Sequence, residues 1–402
     1  MPRALIVGSS VGGLFAASLL RKIGWDVAIF EKSSGDLSGR GAGLGLTREL
    51  MDVMRNAGAE LDESIGVPCP WILRLDGSGN LKSRIHRPWT SGVWSRVYLA
   101  LRAAVPDEVI HPGRSLDSVT QDGTGVVARF ADGGTETGDL LVGCDGVYST
   151  VRRQFLPDAM PRYAGYVAWR CLIEERLMPA DAHALLSDAL TYVFPTGEMS
   201  LSMPNPGRGD DVRPGHRGYY VIWYRQAEGD RLRDLMTDET GKDHGFTIPP
   251  PLIRDDVIAE MRRAAAAHLP PMVAAVVAQT ERPLLQAITD LEVPRMTFGR
   301  VVLLGDAAFV ARPHAAAGVS KAALDAETLA AELAARPGDM AGALRRYEEK
   351  RLAFGQALVD HARKLGAAAL APDDVRDPEQ VMLDYGAAHL LRDVERTPAG
   401  QA

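Results

Sequence analysis

The sequence lacks the features of a metal site, a disulfide-stapled fold and a membrane protein. Its 402 residues contain three cysteines, Cys69, Cys144 and Cys171, with no CxxC pair and no mixed cluster of histidine and cysteine. This scarcity argues against zinc and disulfides and favours a reducing compartment. No apolar run is long enough to span a bilayer. We therefore expect no bound metal and no membrane contact.

The chain also lacks a surplus of positive charge. Its formal net charge of -7 disfavours nucleic acid or an anionic membrane as a partner. A strand pattern begins directly at the N-terminus, so we expect no signal peptide and a cytoplasmic location. The 46% hydrophobic and 24% charged content is that of a globular protein. A small molecule is the remaining partner class, and the sequence is compatible with a homodimer.

The first motif with chemistry lies at the N-terminus. Residues Ala4–Val7 predict a buried strand, the apolar spacing of Leu14–Ile23 predicts a helix, and Val27–Phe30 predict a second strand. The loop Gly8-Ser9-Ser10-Val11-Gly12-Gly13 follows the G-x-G-x-x-G dinucleotide pattern, except that Ser10 replaces the middle glycine. This βαβ unit predicts an α/β, Rossmann-like parallel sheet with a pyrophosphate at the helix N-terminus.

An acid ends the second predicted strand of this unit. Glu31 follows Gly8 by 23 residues, the position from which a carboxylate accepts hydrogen bonds from ribose hydroxyls. Because a carboxylate repels a 2′-phosphate, we expect FAD or NAD there rather than NADP. The alternative is a glycine-rich turn that binds nothing. The candidate cofactor-binding residues of this segment are Gly8, Ser10, Val11, Gly12, Gly13, Glu31 and Lys32.

Two further motifs follow predicted strands. Leu140–Val142 precede Asp145, and a plain turn before a serine-capped helix is the better explanation of that motif when it is taken on its own. Val301–Leu304 precede Asp306, which would accept hydrogen bonds from a polyol chain at the carboxyl end of a strand. Pro313 then fits the first turn of a helix, whose dipole would favour an anionic ligand. The alternative is an alanine-rich core helix that starts with a proline.

Together, the three motifs resemble the class A flavoprotein monooxygenases, the aromatic-ring hydroxylases related to 4-hydroxybenzoate hydroxylase. The likeness covers essentially the whole chain and includes Leu344–Arg351, similar to the family's helix after the flavin site. It implies that FAD is bound non-covalently, that Asp145 touches FAD and takes part in the use of NAD(P)H, and that Asp306 binds the ribityl chain. Within the family, Arg162–Cys171 and Ala311–Gly318 resemble the 2,6-dihydroxypyridine 3-hydroxylases. This implies a hydroxylated pyridine or a phenol-type ring as substrate.

The third motif departs from the usual family pattern at three positions. Phe309, Ala316 and Ser320 stand where histidine, glycine and asparagine are usual, whereas Pro313 and Gly318 match. The resemblance implies FAD contacts from Arg96, Ala316, Ala317, Gly318 and Val319. A solvated helix arginine is the alternative for Arg96.

The middle of the chain changes character. Strand-like segments rich in aromatic residues run from about 163 to 285, and Tyr219–Arg225 read as one strand. We predict a β-sheet substrate domain inserted into the flavin domain. Trp169, Tyr192 and Trp223 are its candidate substrate contacts, although core packing is the alternative for each aromatic residue.

The resemblance also implies a mechanism. NADH or NADPH visits transiently and reduces FAD, O2 gives a flavin C4a-hydroperoxide, and the ring attacks its distal oxygen. Pro313 and His314 are the candidate catalytic residues, because the family places this backbone near the peroxide and a histidine titrates near neutral pH. His314 is also a candidate substrate contact. The alternative is that His314 packs at the helix entrance.

Six segments describe the predicted domain organisation. They are flavin-binding parts at 1–68, 92–162 and 286–335, substrate-domain parts at 69–91 and 163–285, and a helical C-terminal region at 336–402. Two other functions stay open at this point. One is another enzyme on the flavin fold, such as a halogenase, although the Trp-x-Trp-x-Ile-Pro run of halogenases is missing. The other is a non-catalytic flavin or nucleotide sensor.

Overall fold

The computed structural model describes residues 1–39 and 43–393. The strands of this part of the chain are β1 (Arg3–Val7), β2 (Asp26–Glu31), β3 (Gly43–Leu46), β4 (Val67–Leu75), β5 (Leu81–Val93), β6 (Ile110–Pro112), β7 (Leu116–Gln121), β8 (Val126–Phe130), β9 (Thr135–Gly138), β10 (Leu140–Gly143), β11 (Arg162–Glu174), β12 (Ala189–Val193), β13 (Met199–Asn205), β14 (Gly218–Gln226), β15 (Leu284–Asp290), β16 (Thr297–Phe298) and β17 (Val301–Leu303). Its helices are α1 (Val11–Lys22), α2 (Arg48–Asn56), α3 (Trp94–Ala103), α4 (Thr150–Phe155), α5 (Ala180–Leu186), α6 (Asp230–Leu235), α7 (Asp255–His268), α8 (Pro271–Gln279), α9 (Gly318–Ala335), α10 (Met340–Ala369), α11 (Pro378–Asp384) and α12 (Ala388–Asp393).

A six-stranded sheet in the order β16-β17-β10-β1-β2-β6 gathers the three motifs. All its strands are parallel except β16, which confirms the predicted Rossmann-like fold. Val7 pairs with Gly143, and Gly143 pairs with Leu303. The carboxyl ends of β1, β10 and β17 therefore lie side by side, and the loops that follow them meet at one edge, where ligands bind in such sheets.

An eight-stranded sheet in the order β15-β11-β14-β13-β12-β4-β5-β3 forms the second layer. Its neighbouring strands are antiparallel apart from the β12–β4 pair. Helices α7 and α8 contribute to the core on one face, and residues of α11 pack against the other. The sheet matches the predicted inserted β-sheet domain, although its edge strand β3 lies inside the first segment assigned to the flavin domain.

The helix expected to start at Pro313 is interrupted. Pro313–Ala315 form a separate 3-10 turn, Ala316 follows with φ +48°, and α9 begins only at Gly318. A residue in the left-handed region cannot continue a right-handed helix, so the turn and α9 are distinct elements. The predicted helix start at Pro313 was therefore wrong by five residues.

The C-terminal part is helical, as predicted. The 30-residue α10 packs beside α9 and carries Leu344–Arg351 within it. A small antiparallel sheet of β7, β8 and β9 lies between β6 and β10 along the chain. In the ranges that the structure describes, no helix combines the length and the apolar character needed to cross a membrane.

Candidate active site

The loop after β1 is shaped by two glycines. Gly8 has φ +102°, and a Cβ there would lie 2.6 Å from the carbonyl oxygen of Cys144. A Cβ on Gly13 would lie 1.9 Å from the carbonyl oxygen of Gly8, so α1 approaches the loop as closely as only glycine allows. Ser10 is the N-cap residue of α1 and makes no capping hydrogen bond through its side chain.

This loop borders a cavity of about 480 Å³ at the carboxyl ends of the parallel strands, here called the strand-end cavity. The predicted cofactor residues that line it are Gly8, Ser10, Val11, Gly12, Glu31, Lys32, Asp145, Asp306, Gly318 and Val319. Gly13 packs behind the loop instead. The first N–H groups of α1 have no partner within the helix, so this rim of the cavity suits an anion such as a pyrophosphate.

Glu31 is held in place by the loop that it faces. One carboxylate oxygen accepts hydrogen bonds from the backbone N–H and the hydroxyl of Ser9, at 3.0 and 3.2 Å. The other accepts from the backbone N–H of Ser33 at 2.8 Å. The acid therefore fixes the glycine-rich loop and lies on the cavity wall, where a ribose would meet it.

Asp145 has one oxygen committed to the protein and one without a partner. Its Oδ2 accepts from the backbone N–H groups of Thr150 and Val151, at 2.6 and 3.2 Å, and so supports the start of α4. Its Oδ1 is buried and has no hydrogen-bond partner among the described residues. An acceptor of this kind on a cavity wall indicates a ligand that donates a hydrogen bond.

Asp306 faces the strand-end cavity with a buried lysine behind it. Its side chain is 48% exposed, and its Oδ1 lies 3.4 Å from Nζ of Lys321, which is 1% exposed. The turn that carries Asp306 is anchored at Gly305, whose N–H donates to Asp325 at 3.0 Å. Lys321 was missed from the sequence, since a lysine in an alanine-rich helix is usually solvated.

A second cavity of about 890 Å³ lies between α9 and the eight-stranded sheet, and we call it the sheet cavity. It shares the lining residues Trp94, Gly318 and Val319 with the strand-end cavity, so the two spaces adjoin. Pro313 and residues 315–320 form one wall. Ala316 and Ala317, which were predicted to contact FAD, line this cavity and not the strand-end cavity. A ligand that fills the first cavity can therefore extend along this backbone into the second.

Two of the three aromatic residues predicted to contact substrate lie on the wrong face of the sheet. Trp169 and Trp223 pair across β11 and β14 and are buried in the core against α7 and α8. Side chains alternate along a strand, so their neighbours Arg170 and Tyr224 line the sheet cavity instead. Tyr192 lines the cavity, and its contact with substrate stays a prediction.

His314 is fully buried behind the cavity wall and is not among the lining residues. Its Nε2 lies 2.9 Å from the hydroxyl of Tyr166, and its ring centroid lies 4.4 Å from that of Tyr224. Burial, together with the guanidinium groups of Arg312 and Arg170, lowers the pKa of His314 to about 3. The imidazole is therefore neutral near pH 7, which removes the expected titration in that range.

Arg96 also departs from its predicted place. Its guanidinium donates to Asp210 at 3.1 Å and to the hydroxyl of Ser64, and it lines neither cavity. These partners occupy the guanidinium outside the lining of both cavities. Trp94, two residues earlier and at the start of α3, holds the position between the cavities instead.

Comparisons with known proteins agree with this geometry. A family model described as FAD binding domain matches residues 2–65 and 247–362, and one described as FAD binding domain-like matches 163–290. The chain is 32% identical to a 2,6-dihydroxypyridine 3-monooxygenase of Paenarthrobacter nicotinovorans, over 91% of each chain. It is 30% identical to a 6-hydroxynicotinate 3-monooxygenase of Pseudomonas fluorescens, over 87% of each.

The fold is shared with a solved enzyme over nearly its full length. The structure of 2,6-dihydroxypyridine-3-hydroxylase from Arthrobacter nicotinovorans superposes with a TM-score of 0.88, at 30% identity over 96% of both chains. The chain belongs to the FAD-dependent aromatic hydroxylases. The likeness to this family and to its dihydroxypyridine branch, predicted from the motifs, is confirmed.

FAD is the cofactor of this flavin-dependent monooxygenase, and the residues present fit it. The tight glycine loop and the N-terminus of α1 suit a pyrophosphate, and Glu31 suits a ribose. The free acceptor on Asp145 and the half-exposed carboxylate of Asp306 suit the hydroxyls of a ribityl chain. These individual contacts stay predictions.

Asp306→Ala tests the ribityl assignment separately from the ion pair with Lys321. Loss of a hydrogen bond to a charged acceptor, worth about 1.5–3 kcal/mol, should raise the Kd for FAD about tenfold or more. The buried ammonium also loses its carboxylate, so the melting temperature of the apoenzyme should fall. In Asp306→Ala combined with Lys321→Met, the melting temperature should recover while FAD binding stays weak. Wild-type FAD affinity in the single variant would show that Asp306 does not hold the cofactor.

His314→Gln tests the burial of the neutral imidazole through the pH dependence of stability. The unfolded chain takes up a proton at His314 below about pH 6.5, whereas the folded protein takes it up only near pH 3. Stability is therefore lost as the pH falls from 6.5 towards 3, by about 2 kcal/mol at pH 5. Glutamine keeps a polar nitrogen towards Tyr166 but does not titrate. The melting temperature should drop less between pH 7.5 and pH 5 in the variant than in the wild-type protein. An equal drop in both proteins would contradict the assignment.

Proposed function

We propose that this enzyme hydroxylates a hydroxylated pyridine or a phenol-type ring, with NAD(P)H and O2 as co-substrates. The observation that carries the proposal is the sheet cavity, which adjoins the flavin site and has an interior lined mainly by apolar and aromatic side chains. A flat ring of this class fits between the backbone of residues 315–318 and the strands β12, β13 and β14. The hydroxypyridine-acting relatives support the same substrate class.

The chain's own residues would position the ring and exclude water. FAD, when bound, takes a hydride from NAD(P)H and activates O2 for transfer of one oxygen atom to the ring. Pro313 and Ala316 hold the wall between the two cavities, because the 3-10 turn and the left-handed residue fix the backbone there. Leu190, Leu201 and Ile222 line the space and keep it apolar. A reactive oxygen species is thereby protected from solvent while the ring approaches it.

His314 would act as a positioning residue in this arrangement. It lies behind the cavity wall, donating to or accepting from Tyr166, and its ring packs against Tyr224, which lines the cavity. The backbone carbonyl of His314 accepts from the N–H of Gly386 at 3.0 Å and so holds the segment that contains Tyr385. His314 thereby supports two tyrosines that line the sheet cavity, Tyr224 through its ring and the Tyr385 segment through its backbone carbonyl.

The reaction itself is tested by following the oxygen atom. The purified enzyme should carry FAD that acid precipitation releases, and 2,6-dihydroxypyridine or a related phenol should stimulate its NAD(P)H oxidation. Under ¹⁸O2, mass spectrometry should find one labelled oxygen in the product. Label that enters from H2¹⁸O instead, or NAD(P)H oxidation that no ring compound stimulates, would contradict the proposal. A non-catalytic flavin sensor would show neither ring-stimulated NAD(P)H oxidation nor labelled product.

His314→Ala tests the positioning role. Removal of the imidazole leaves space behind Tyr224, so the ring should be held less firmly and the activated oxygen should be lost more often as hydrogen peroxide. We expect less product per NAD(P)H consumed, more peroxide, and an unchanged FAD content. His314→Gln is the matched control, because it keeps volume and a polar group near Tyr166. If the alanine variant forms as much product per NAD(P)H consumed as the wild-type enzyme, His314 only packs behind the cavity wall and does not position the ring.

A further inference from the structure

Arg170 is a buried cation on the wall of the sheet cavity. It lies on β11, on the same face as Tyr166 and Ala168, and its residue exposure is 9%. Its Nε donates to Oε1 of Gln286 and its Nη1 to the hydroxyl of Tyr220, both at 3.0 Å. Both acceptors are neutral, so these hydrogen bonds orient the guanidinium without balancing its charge.

The other arginines of the sheet cavity differ from Arg170 in burial or in partner. Arg312 pairs with Asp290 at 3.0 Å, and Arg48 lies 3.7 Å from Asp52 at the surface. Arg87 is half-buried and donates to the backbone carbonyl of Leu383. In the part of the chain that the structure describes, Arg170 has no carboxylate partner although it is the most deeply buried of the four.

A buried guanidinium without a counter-ion is unfavourable in an apolar cavity, and a bound anion removes that cost. An arginine offers five N–H donors in a planar fork, and the two neutral acceptors use only part of them. Nη2 makes no hydrogen bond to the described residues. The arrangement is therefore prepared for an anionic oxygen that enters from the cavity.

We propose that Arg170 binds an anionic oxygen of the substrate, either an ionised ring hydroxyl or a ring carboxylate, and so selects anionic rings over neutral ones. The inference rests on the proposed function, because the cavity must be the substrate site. It adds the residue that recognises the charge of the ring.

The titratable groups around Arg170 do not ionise near neutral pH. Burial raises the pKa of Tyr224 to about 12 and also raises the pKa values of Tyr220 and Tyr385. Burial lowers the pKa of His314 to about 3, and Arg312 is paired with Asp290. A pH dependence of ligand binding between about pH 5 and 9 therefore reports the ionisation of the ligand rather than of these side chains.

The test is a titration of the FAD-loaded enzyme with ligand in the absence of NAD(P)H, followed by the change in flavin absorbance. The ligands are 2,6-dihydroxypyridine, 6-hydroxynicotinate and its neutral amide, 6-hydroxynicotinamide. Arg170→Met should raise the Kd for at least one of the first two ligands about 10- to 100-fold, the range expected for a charge-assisted hydrogen bond. Arg170→Lys should raise the Kd by a smaller factor, because lysine keeps the positive charge. Arg162→Met is the matched control, because Arg162 lies exposed on the same strand and lines neither cavity, and it should change the Kd less than about threefold.

The ligands separate the two sources of the anionic oxygen. If Arg170→Met weakens the binding of 2,6-dihydroxypyridine, Arg170 contacts an ionised hydroxyl. If it weakens only the binding of 6-hydroxynicotinate, Arg170 contacts the carboxylate. Unchanged Kd values for both in a folded, FAD-loaded Arg170→Met enzyme would overturn the inference.

The wild-type enzyme provides a test that no folding defect can obscure. Affinity for 2,6-dihydroxypyridine should rise with pH through the ionisation of the free ligand, or 6-hydroxynicotinate should bind at least about tenfold more tightly than its amide. If the affinity for 2,6-dihydroxypyridine does not change with pH, and 6-hydroxynicotinate and its amide bind equally well, the role of Arg170 is overturned but the proposed function is not. If the wild-type enzyme binds none of the three ligands, the proposed substrate class is wrong, and the inference falls with it.

Discussion

A buried ion pair between Asp325 on α9 and Arg351 on α10 holds the centre of the flavin site in place. Nε of Arg351 donates to Oδ1 of Asp325 at 2.6 Å, and Oδ2 of Asp325 accepts from the N–H of Gly305 at 3.0 Å. Both side chains are at most 2% exposed, so neither charge is relieved by solvent if the other is lost. Tyr347 adds a hydrogen bond to the carbonyl of Leu303 at 2.9 Å. Helix α10 thus fixes the backbone turn that presents Asp306, which explains why a segment outside the cavity walls belongs to the site.

The parallel sheet supplies the other constraint, since it decides which loops meet. Neighbouring parallel strands place their carboxyl ends at one edge, and only glycine at positions 8 and 13 lets α1 approach that edge so closely. The strands and helices around each motif were predictable from the sequence because their signals are local. Buried strands, the serine cap of α4 and the terminal acid Glu31 are local signals, and each was read from a few consecutive residues. The likeness of the whole chain to the flavin hydroxylases also rested on these local motifs.

The substrate side was less predictable because its strands β12, β13 and β14 are buried on both faces. In β14 nearly every residue is buried, so hydrophobic alternation does not mark which face meets the cavity. The large aromatic residues Trp169 and Trp223 were natural candidates, yet they belong to the core beneath the sheet. Arg170, adjacent to Trp169, faces the cavity. Likewise, a left-handed Ala316 leaves no signal in a run of alanines, so the break between Pro313 and α9 required the three-dimensional structure.

The two cavities differ in the charged side chains that we expect to contact their ligands. In the strand-end cavity, the acids Glu31, Asp145 and Asp306 each combine contacts to the protein with a surface towards the cofactor, as expected for a ligand rich in hydroxyl groups. In the sheet cavity, Arg170 is a buried cation held by neutral partners on a largely apolar wall. A neutral His314 behind that wall adds no competing charge, because the nearby guanidinium groups and burial together keep it unprotonated. The same desolvation that keeps the histidine neutral strengthens the attraction between Arg170 and an anionic ring, so packing and charge selection arise from one apolar environment.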